Sequence, residues 1–314
     1  MEKCGSNDYQ YEVIRDWAKV PSSWSLPDVC GITIDAKDRV YVLNRSDHPI
    51  IVFDSNGNVI NSWGEGVFGR AHGSGMDSDG FIYCADDVSH VVYKFTPEGK
   101  LAMTLGNKGQ PSDTGFVHTP GKTLTECLST IKRGGPPFNR PTGVSVSSKG
   151  DIFVSDGYGN ARVHRFSAKG ELLLSWGEPG TLEGQFKLPH SVRVDSMNQV
   201  WVVDRENGRI QIFDVDGTLL NVWKNLSRPT DLRFDTEGVI YISELNRRIS
   251  IFSADGNLLA RFGSQGEDPE HALFVGPHTL AVDSQGNLYV GEVAKSFAGV
   301  DRGIRTIQKF VRKR

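Results

Sequence analysis

The sequence predicts an all-β protein made of six similar units, and three observations support this prediction. A pattern of about 40 residues recurs six times along the chain. Each copy alternates apolar with polar residues over short runs, as half-buried strands do. Turn-forming pairs such as Asp216-Gly217 separate the runs and favour tight hairpins. Four antiparallel strands per copy are typical of one propeller blade, so the predicted fold is a six-bladed β-propeller.

The fourth copy shows the four strands most clearly. Its first strand contains Val192 and Val194, which alternate with polar neighbours, and the apolar run Val200 to Val203 predicts the second strand. Arg209 to Phe213 alternates again, and Thr218 to Trp223 completes the copy after the Asp-Gly turn. β-Branched and aromatic runs bounded by Asn, Asp and Gly predict a meander of antiparallel strands.

The spacing of the aromatic residues in the second strand of each copy shows the length of the repeat. Most neighbouring copies place them 40 to 48 residues apart, which is the size of a four-stranded repeat. The step between the second and third copies is longer, and residues 110–138, rich in Gly, Pro, Ser and Thr, account for it as an inserted loop. The aromatic positions are Tyr41, Tyr83, Phe153, Trp201, Tyr241 and Tyr289.

The two ends of the chain are predicted to close the propeller. A single blade cannot bury both of its faces, so we expect six blades to stack as one NHL-type domain over residues 1–314. The sixth copy ends in a predicted strand from Thr306 to Val311, and Tyr11 to Trp17 remains as a strand at the start. Pairing these two segments in one blade would remove exposed strand edges.

Composition excludes several classes of partner. The formal net charge is -3 and 23% of the residues are charged, so neither a nucleic acid nor a membrane surface is an expected partner. The start of the chain lacks the features of a signal peptide, and four cysteines show no metal-binding spacing. We therefore expect a cytoplasmic protein with free thiols; the oligomeric state stays open.

Histidine occurs at the start of the first strand in every second copy. Copies two, four and six have His72, His190 and His278, whereas the odd-numbered copies have other residues there. Alternate blades of a six-bladed propeller are related by about a third of a turn, so the three imidazoles would converge on the axis. Catalytic zinc sites use three protein ligands and leave one position open. The alternation predicts such a site; the alternative is that each histidine only caps a strand or fills the channel.

Polar residues end the second strand in all six copies. Because every copy has one, we interpret them as backbone hydrogen-bonding partners of the following turn and not as a catalytic cluster. They are Asn44, Asp86, Asp156, Asp204, Glu244 and Glu292.

The residues after these positions differ between copies and are candidates for function. Arg45 and Arg205 directly follow the strand ends of copies one and four, and Tyr158 lies just after that of copy three. Guanidinium groups near a metal suit a substrate that carries a carboxylate, and a tyrosine close to cations can act as a base. The alternative is surface ion pairing for the arginines and packing for the tyrosine.

The motifs carry a family resemblance over essentially the whole chain. The repeats resemble NHL repeats, and NRSDHP, AHGSGMDSDG, FVSDGYGNARV, GQFKLPHSV, VVDRENGRIQIF and GPHTLAVDSQGNLYVGE resemble the peptidyl-α-hydroxyglycine α-amidating lyase in the same order. That family is a six-bladed propeller that uses three histidines to bind zinc and converts an N-acyl α-hydroxyglycine into an amide and glyoxylate. The resemblance implies zinc ligands at His72, His190 and His278, a base at Tyr158, and active-site arginines at Arg45 and Arg205.

Two departures from the family change the expectations. The family has a calcium-binding aspartate directly after its third histidine, where this chain has Thr279. Loss of a hard carboxylate weakens a calcium site, so structural calcium is expected to be weak or absent. Paired cysteines of the family are missing as well, with Gly159 in the place of one, which agrees with a reducing compartment.

The expected function is a zinc-dependent carbon-nitrogen lyase. Its substrate would be a small carboxylate-bearing molecule, an N-acyl or N-carbamoyl α-hydroxyglycine-like carbinolamine. Two alternatives stay open: a metal-dependent hydrolase or lactonase that uses the same propeller site, and a non-catalytic NHL interaction scaffold. Arg45, Arg205 and Tyr158 favour the lyase, and the near-neutral charge offers no basic stripe for a scaffold.

Overall fold

Nearly all regular structure is antiparallel β-sheet, arranged in six sheets of short strands. The computed structural model describes residues 2–263, 268–269 and 271–313. The six sheets are the blades of a six-bladed β-propeller, which confirms the predicted fold class. The chain divides into a first compact unit, Met1–Val67 with Pro229–Arg314, and a second, Phe68–Arg228. One domain across residues 1–314 stays a prediction.

The first six strands belong to the first unit. Two of them precede blade one, and the other four form it in the order of the chain. These strands are β1 (Lys3–Ser6), β2 (Tyr9–Ile14), β3 (Val29–Ile34), β4 (Val40–Asn44), β5 (Ile50–Phe53) and β6 (Val59–Trp63).

The second unit contains blades two, three and four, each of four antiparallel strands. Blade two comprises β7 (Ala71–Met76), β8 (Ile82–Asp86), β9 (Val91–Phe95) and β10 (Leu101–Leu105). Blade three comprises β11 (Pro141–Val146), β12 (Ile152–Asp156), β13 (Arg162–Phe166) and β14 (Leu172–Trp176). Blade four comprises β15 (Pro189–Val194), β16 (Val200–Asp204), β17 (Arg209–Phe213) and β18 (Leu219–Trp223).

The remaining strands return to the first unit as blades five and six. Blade five comprises β19 (Pro229–Phe234), β20 (Ile240–Glu244), β21 (Arg248–Phe252) and β22 (Leu258–Gly263). Blade six contains β23 (Pro277–Val282), β24 (Leu288–Glu292) and β25 (Ile307–Lys313).

The two ends of the chain pair in blade six, as predicted. Its sheet has the order β1-β2-β25-β24-β23, and Val13 lies opposite Phe310. The extra strand β1 was not expected. The N-terminal strand ends at Ile14 and not at Trp17, because the Trp17 indole leaves the sheet, packs 5.2 Å from the Phe53 ring and donates to the Ser55 carbonyl.

A repeated aspartate turn joins the first and second strands of five blades. In blade two the Asp77 carboxylate accepts hydrogen bonds from the Asp79 and Phe81 amides and from the Tyr83 hydroxyl, while Gly80 has a φ of +83°. The turn therefore needs a residue that tolerates positive φ, which is glycine in this blade, and it orients the aromatic side chain of the next strand. The same pairing occurs at Asp35 and Tyr41, Asp195 and Trp201, Asp235 and Tyr241, and Asp283 and Tyr289.

The insertion at residues 110–138 is not wholly irregular. It contains the short helix α1 (Leu124–Leu128), which begins with a capping box formed by Thr123 and Glu126. A second short helix, α2 (Ala294–Ala298), follows β24. In the described part of the chain no helix has the length and apolar character needed to cross a membrane.

Replacing Phe310 by alanine should lower the free energy of unfolding by about 3 to 5 kcal/mol, the usual cost of truncating a buried aromatic side chain. Phe310 is fully buried on β25 among residues of blades five and six. Urea denaturation measures the change. The matched control is Phe297→Ala, whose side chain is 42% exposed and should cost less than about 1 kcal/mol. Equal losses in the two variants would contradict closure through β25.

Candidate active site

His72 and His190 are brought together inside the second unit. Each is the second residue of the first strand of its blade, and each is at most 2% exposed. Their ligand nitrogens lie within 4.8 Å of one another. The register of both strands against their neighbours shifts at the histidine, and such a bulge re-aims one side chain. His278 occupies the corresponding bulge of β23 in the first unit and is 4% exposed.

Backbone carbonyls determine which imidazole nitrogen carries the proton. His72 Nδ1 lies 2.6 Å from the Thr142 carbonyl oxygen, and His278 Nδ1 lies 3.1 Å from that of Cys30. A carbonyl only accepts, so Nδ1 donates in both cases and Nε2 keeps its lone pair. Such an outer partner is the usual support of a metal-binding histidine.

These imidazoles fit a transition metal. Neutral buried imidazole nitrogens are ligands that zinc favours. His72 and His190 in the second unit and His278 in the first are all buried, and each offers one imidazole nitrogen as a possible metal ligand.

The Tyr158 hydroxyl lies between the two histidines of the second unit. Its oxygen is 3.2 Å from His72 Nε2 and 3.5 Å from His190 Nε2. Arg205 Nη1 donates to the same oxygen at 3.3 Å. Tyr158 stands in the turn after β12, so the end of one blade supplies an oxygen to the bulges of two others. Three predicted site residues, His72, His190 and Arg205, therefore lie within 3.5 Å of the hydroxyl oxygen of Tyr158, the predicted base.

Arg205 is held in place by an acidic neighbour. It is 4% exposed, its Nε donates to Glu206 at 2.8 Å, and Glu206 also accepts from Arg228 at 2.8 Å. Burial opposes the charge of Arg205, but Tyr158 and Glu206 outweigh it and raise the pKa. Burial would likewise raise the pKa of Glu206, but the two guanidinium groups lower it. Both groups are therefore charged at neutral pH.

Arg45 is placed in the first unit and is anchored at the end of β4. Its Nη1 lies 3.3 Å from an Asp28 carboxylate oxygen and donates to the Ser296 hydroxyl at 2.9 Å. The Ser296 amide donates to the other Asp28 oxygen, so helix α2 is tied to the same group. An active-site role for Arg45 stays a prediction.

Two further arginines beside Tyr158 were not predicted. The guanidinium carbons of Arg70 and Arg140 each lie 5.7 Å from the centroid of its ring, and that of Arg205 lies at 5.6 Å. Asp87 accepts from both arginines. One signal was available: in copies two and three an arginine stands two residues before the bulge, as Arg70-Ala71-His72 and Arg140-Pro141-Thr142.

The inserted segment packs against the site. Leu128 and Ile131 form a buried cluster with Leu188, and Tyr158 packs against its edge. The Thr114 hydroxyl donates to the carbonyl of Gly159, directly after the tyrosine. The insertion thus supports one side of Tyr158 and covers it with apolar side chains.

Four of the polar residues at the strand ends bond backbone groups of the segment that enters their own blade, whereas Asn44 donates to the His48 and Pro49 carbonyls of the following turn, as predicted. Asp204, for example, accepts from the Lys187 and Leu188 amides before β15. This loop lies beside the strand end because the first and second strands are paired. Similar bonds are made by Asp86 to Gly69 and Arg70, by Asp156 to Asn139, and by Glu292 to Val275 and Gly276.

Calcium does not fit at Thr279. The Thr279 hydroxyl accepts from the Ile32 amide and donates to Asp231. Both oxygens of Asp231 already accept from Arg233, which also donates to the Ile32 carbonyl at 2.9 Å. A guanidinium therefore supplies positive charge beside the Asp231 carboxylate, whereas a calcium site needs several oxygen ligands.

Fold and site together define an NHL-repeat propeller with a histidine cluster. The NHL repeat family matches residues 138–166 and 186–213. NHL repeat-containing protein 3 of Homo sapiens is 30% identical over 324 residues, which cover 96% of this chain and 84% of that protein. The chain belongs to the NHL-repeat family that includes this protein.

Other relatives carry enzyme names. The chain is 32% identical over 246 residues to the peptidylglycine alpha-amidating monooxygenase of Rattus norvegicus, covering 67% of this chain and 23% of that protein. It is 29% identical over 273 residues to the peptidyl-alpha-hydroxyglycine alpha-amidating lyase 1 of Drosophila melanogaster, covering 76% and 46%. The chain thus spans less than half of the length of either named enzyme.

Solved structures share the fold at low sequence identity. A gluconolactonase from Xanthomonas campestris superposes with a TM-score of 0.64 at 13% identity, over 98% of this chain and 94% of that chain. A catalytically inactive virginiamycin B lyase from Staphylococcus aureus gives 0.60 at 13% identity, over 96% and 99%. At these identities the likeness concerns the fold.

Replacing His190 by alanine should abolish zinc binding while the β-rich fold remains, because the substitution deletes one of the three predicted metal ligands. Metal analysis after zinc loading and far-UV circular dichroism measure the two outcomes. The control is His271→Ala, whose side chain is 82% exposed and should keep the zinc. Unchanged zinc content in the His190 variant would remove this residue from the metal site.

Proposed function

We propose that the protein is a zinc-dependent lyase that breaks the C–N bond of an N-acyl or N-carbamoyl α-hydroxyglycine-like carbinolamine. The products would be an amide and glyoxylate. The observation that carries the proposal is the Tyr158 hydroxyl, which lies within 3.5 Å of two imidazole Nε2 atoms and an arginine. Relatives named amidating lyase support the same chemistry.

The proposed metal ligands are His72, His190 and His278. Their Nε2 atoms would hold the ion, and the carbonyls of Thr142 and Cys30 orient the rings of His72 and His278. Zinc bound there would supply a Lewis acid that lowers the barrier to deprotonation of the substrate hydroxyl.

Tyr158 is the proposed acid-base group. A base must lie within hydrogen-bonding reach of the proton that it removes, and the Tyr158 oxygen lies beside two of the histidines that would hold the metal. It takes the hydroxyl proton as the carbonyl of glyoxylate forms. The electron pair of the broken C–N bond goes to the amide nitrogen, and Tyr158 can return the proton to that nitrogen. No covalent intermediate is needed.

Arg205 has two proposed roles that follow from its position. It donates to the Tyr158 oxygen, so its charge stabilises negative charge that develops there. Its buried guanidinium also suits the substrate carboxylate, since paired hydrogen bonds match carboxylate geometry. Arg45 is proposed as a second carboxylate-binding group, held ready by Asp28 and Ser296.

The proposed partner is a small carboxylate-bearing molecule, and the proposed location is the cytoplasm. The four cysteines form no disulfide, and a reducing compartment keeps thiols in this state. Cys4 is partly buried, and this burial, with the nearby charge of Glu2, raises its pKa to about 12, so it is a poor nucleophile.

Purified zinc-loaded protein should release glyoxylate from a small N-acyl α-hydroxyglycine such as N-acetyl-α-hydroxyglycine, and a chelator should abolish the release. Glyoxylate is measured as a hydrazone, with spontaneous breakdown subtracted. As a control, zinc added back to the chelated protein should restore glyoxylate release, which shows that the chelator did not damage the protein. Absence of release from zinc-loaded protein would reject the proposed reaction.

Tyr158→Phe should keep zinc and lower kcat by about 10² to 10⁴-fold, the usual contribution of a positioned acid or base. Steady-state kinetics and metal analysis on the same sample measure both values. Tyr93→Phe is the matched control, because Tyr93 is buried and its hydroxyl makes no hydrogen bond. Turnover at the unmodified rate in the Tyr158 variant would exclude the tyrosine from the chemistry.

A further inference from the structure

Two arginines next to the site share a single carboxylate. Asp87 is fully buried, and Arg70 Nε donates to its Oδ1 at 2.7 Å. Arg70 Nη2 and Arg140 Nη2 both donate to the other oxygen, the latter at 2.9 Å. Two positive charges therefore meet one negative charge at this point, here called the Arg70–Arg140 pair.

The two guanidinium groups of this pair carry more N–H donors than the Asp87 carboxylate has acceptor positions. Each guanidinium carries five N–H donors, and a carboxylate offers about four lone-pair sites. Arg140 Nε is buried without a hydrogen-bond partner, although a buried polar group normally has one. The adjacent carboxylate, Asp86, accepts instead from the Gly69, Arg70 and Ser89 amides.

The pair is held rigidly beside the proposed reaction centre. The Arg140 guanidinium lies 5.9 Å from the Phe116 ring centroid and 5.7 Å from that of Tyr158. Arg70 lies 5.7 Å from the same tyrosine ring, and its side chain is 38% exposed. A partly exposed guanidinium therefore lies close to the ring of the proposed base.

We propose that the Arg70–Arg140 pair is an anion subsite that binds a second carboxylate, located on the acyl part of the substrate. This proposal rests on the proposed function, in which the first carboxylate of the substrate is that of the α-hydroxyglycine part. It names the substrate class as N-acyl α-hydroxyglycines whose acyl group ends in a carboxylate, because guanidinium groups pair with carboxylates through two parallel hydrogen bonds.

An apolar acyl group fits less well at this position. Leu128 and Ile131, the buried apolar side chains of the insertion in the cluster that Tyr158 packs against, are 5% and 8% exposed. They are already packed against Leu188, so they offer little surface to a ligand. Arg70 is the more accessible neighbour of the tyrosine.

The first test compares substrates on the zinc-loaded protein. N-oxalyl, N-malonyl and N-succinyl α-hydroxyglycine are each compared with a neutral acyl group of the same chain length. At least one anionic substrate should have a kcat/KM about ten-fold higher than its neutral counterpart, and the advantage should shrink as salt is added. Equal values for all three pairs would overturn the subsite.

Arg70→Gln should reduce this anionic-to-neutral ratio by about ten-fold, with zinc content checked on the same sample. The matched control is Arg165→Gln in the same unit, because Arg165 also pairs with carboxylates and is 20% exposed. The control should keep the ratio. An unchanged ratio in a folded, zinc-loaded Arg70 variant would overturn the assignment.

A binding measurement separates this inference from the proposed reaction. Succinate should bind the unmodified zinc-loaded protein about ten-fold more tightly than butyrate in calorimetry, since the two differ by one carboxylate. Tighter succinate binding without glyoxylate release from any substrate would retain the subsite and reject the lyase. Glyoxylate release with equal binding of the two acids and no anionic preference would retain the lyase and reject the subsite.

Discussion

The site depends on one hydrogen bond, from His72 Nδ1 to the Thr142 carbonyl of the next blade. The bond fills the donor of a buried imidazole and leaves Nε2 as the atom that faces Tyr158. It also links the bulges of two neighbouring blades, so the position of the ring is coupled to blade packing. The bond from His278 to Cys30 repeats this arrangement in the first unit. The bulge residue of an odd-numbered blade therefore has a function even without a histidine, because its carbonyl orients the histidine of the neighbouring blade.

Charge around Tyr158 is organised by shared carboxylates. Asp87 binds Arg70 and Arg140, and Glu206 binds Arg205 and Arg228. In both sets one acid, fully buried at Asp87 and largely buried at Glu206, holds two guanidinium groups and so fixes two long side chains in place. Removing either acid would leave a largely buried guanidinium without its carboxylate, a larger penalty than losing an exposed ion pair. These acids thus stabilise the arginines that surround the tyrosine.

Much of the fold was readable from the sequence because the information is local. The Asp-to-aromatic turn lies within a few residues, as Asp195 and Trp201 show, and strand alternation repeats with every copy. The alternating histidines could be found because symmetry turns sequence spacing into spatial proximity. The role of Asp87 could not be predicted from the sequence, because its bond to Arg140 joins two separate blades and depends on the direction of both side chains. β1 was missed for a similar reason: Lys3–Ser6 is polar and mostly exposed, and only its pairing with β2 makes it a strand.

The closure of blade six has a consequence for biosynthesis. β2 leaves the ribosome long before its partner β25, because the two strands are far apart in the sequence. Until β25 has been made, β2 has an unpaired edge, and the core around Phe310 lacks one side. Pairings this distant in sequence form slowly, and exposed strand edges invite contacts with other nascent chains. The polar strand β1 covers the other edge of β2, so only the edge that awaits β25 stays open in the meantime.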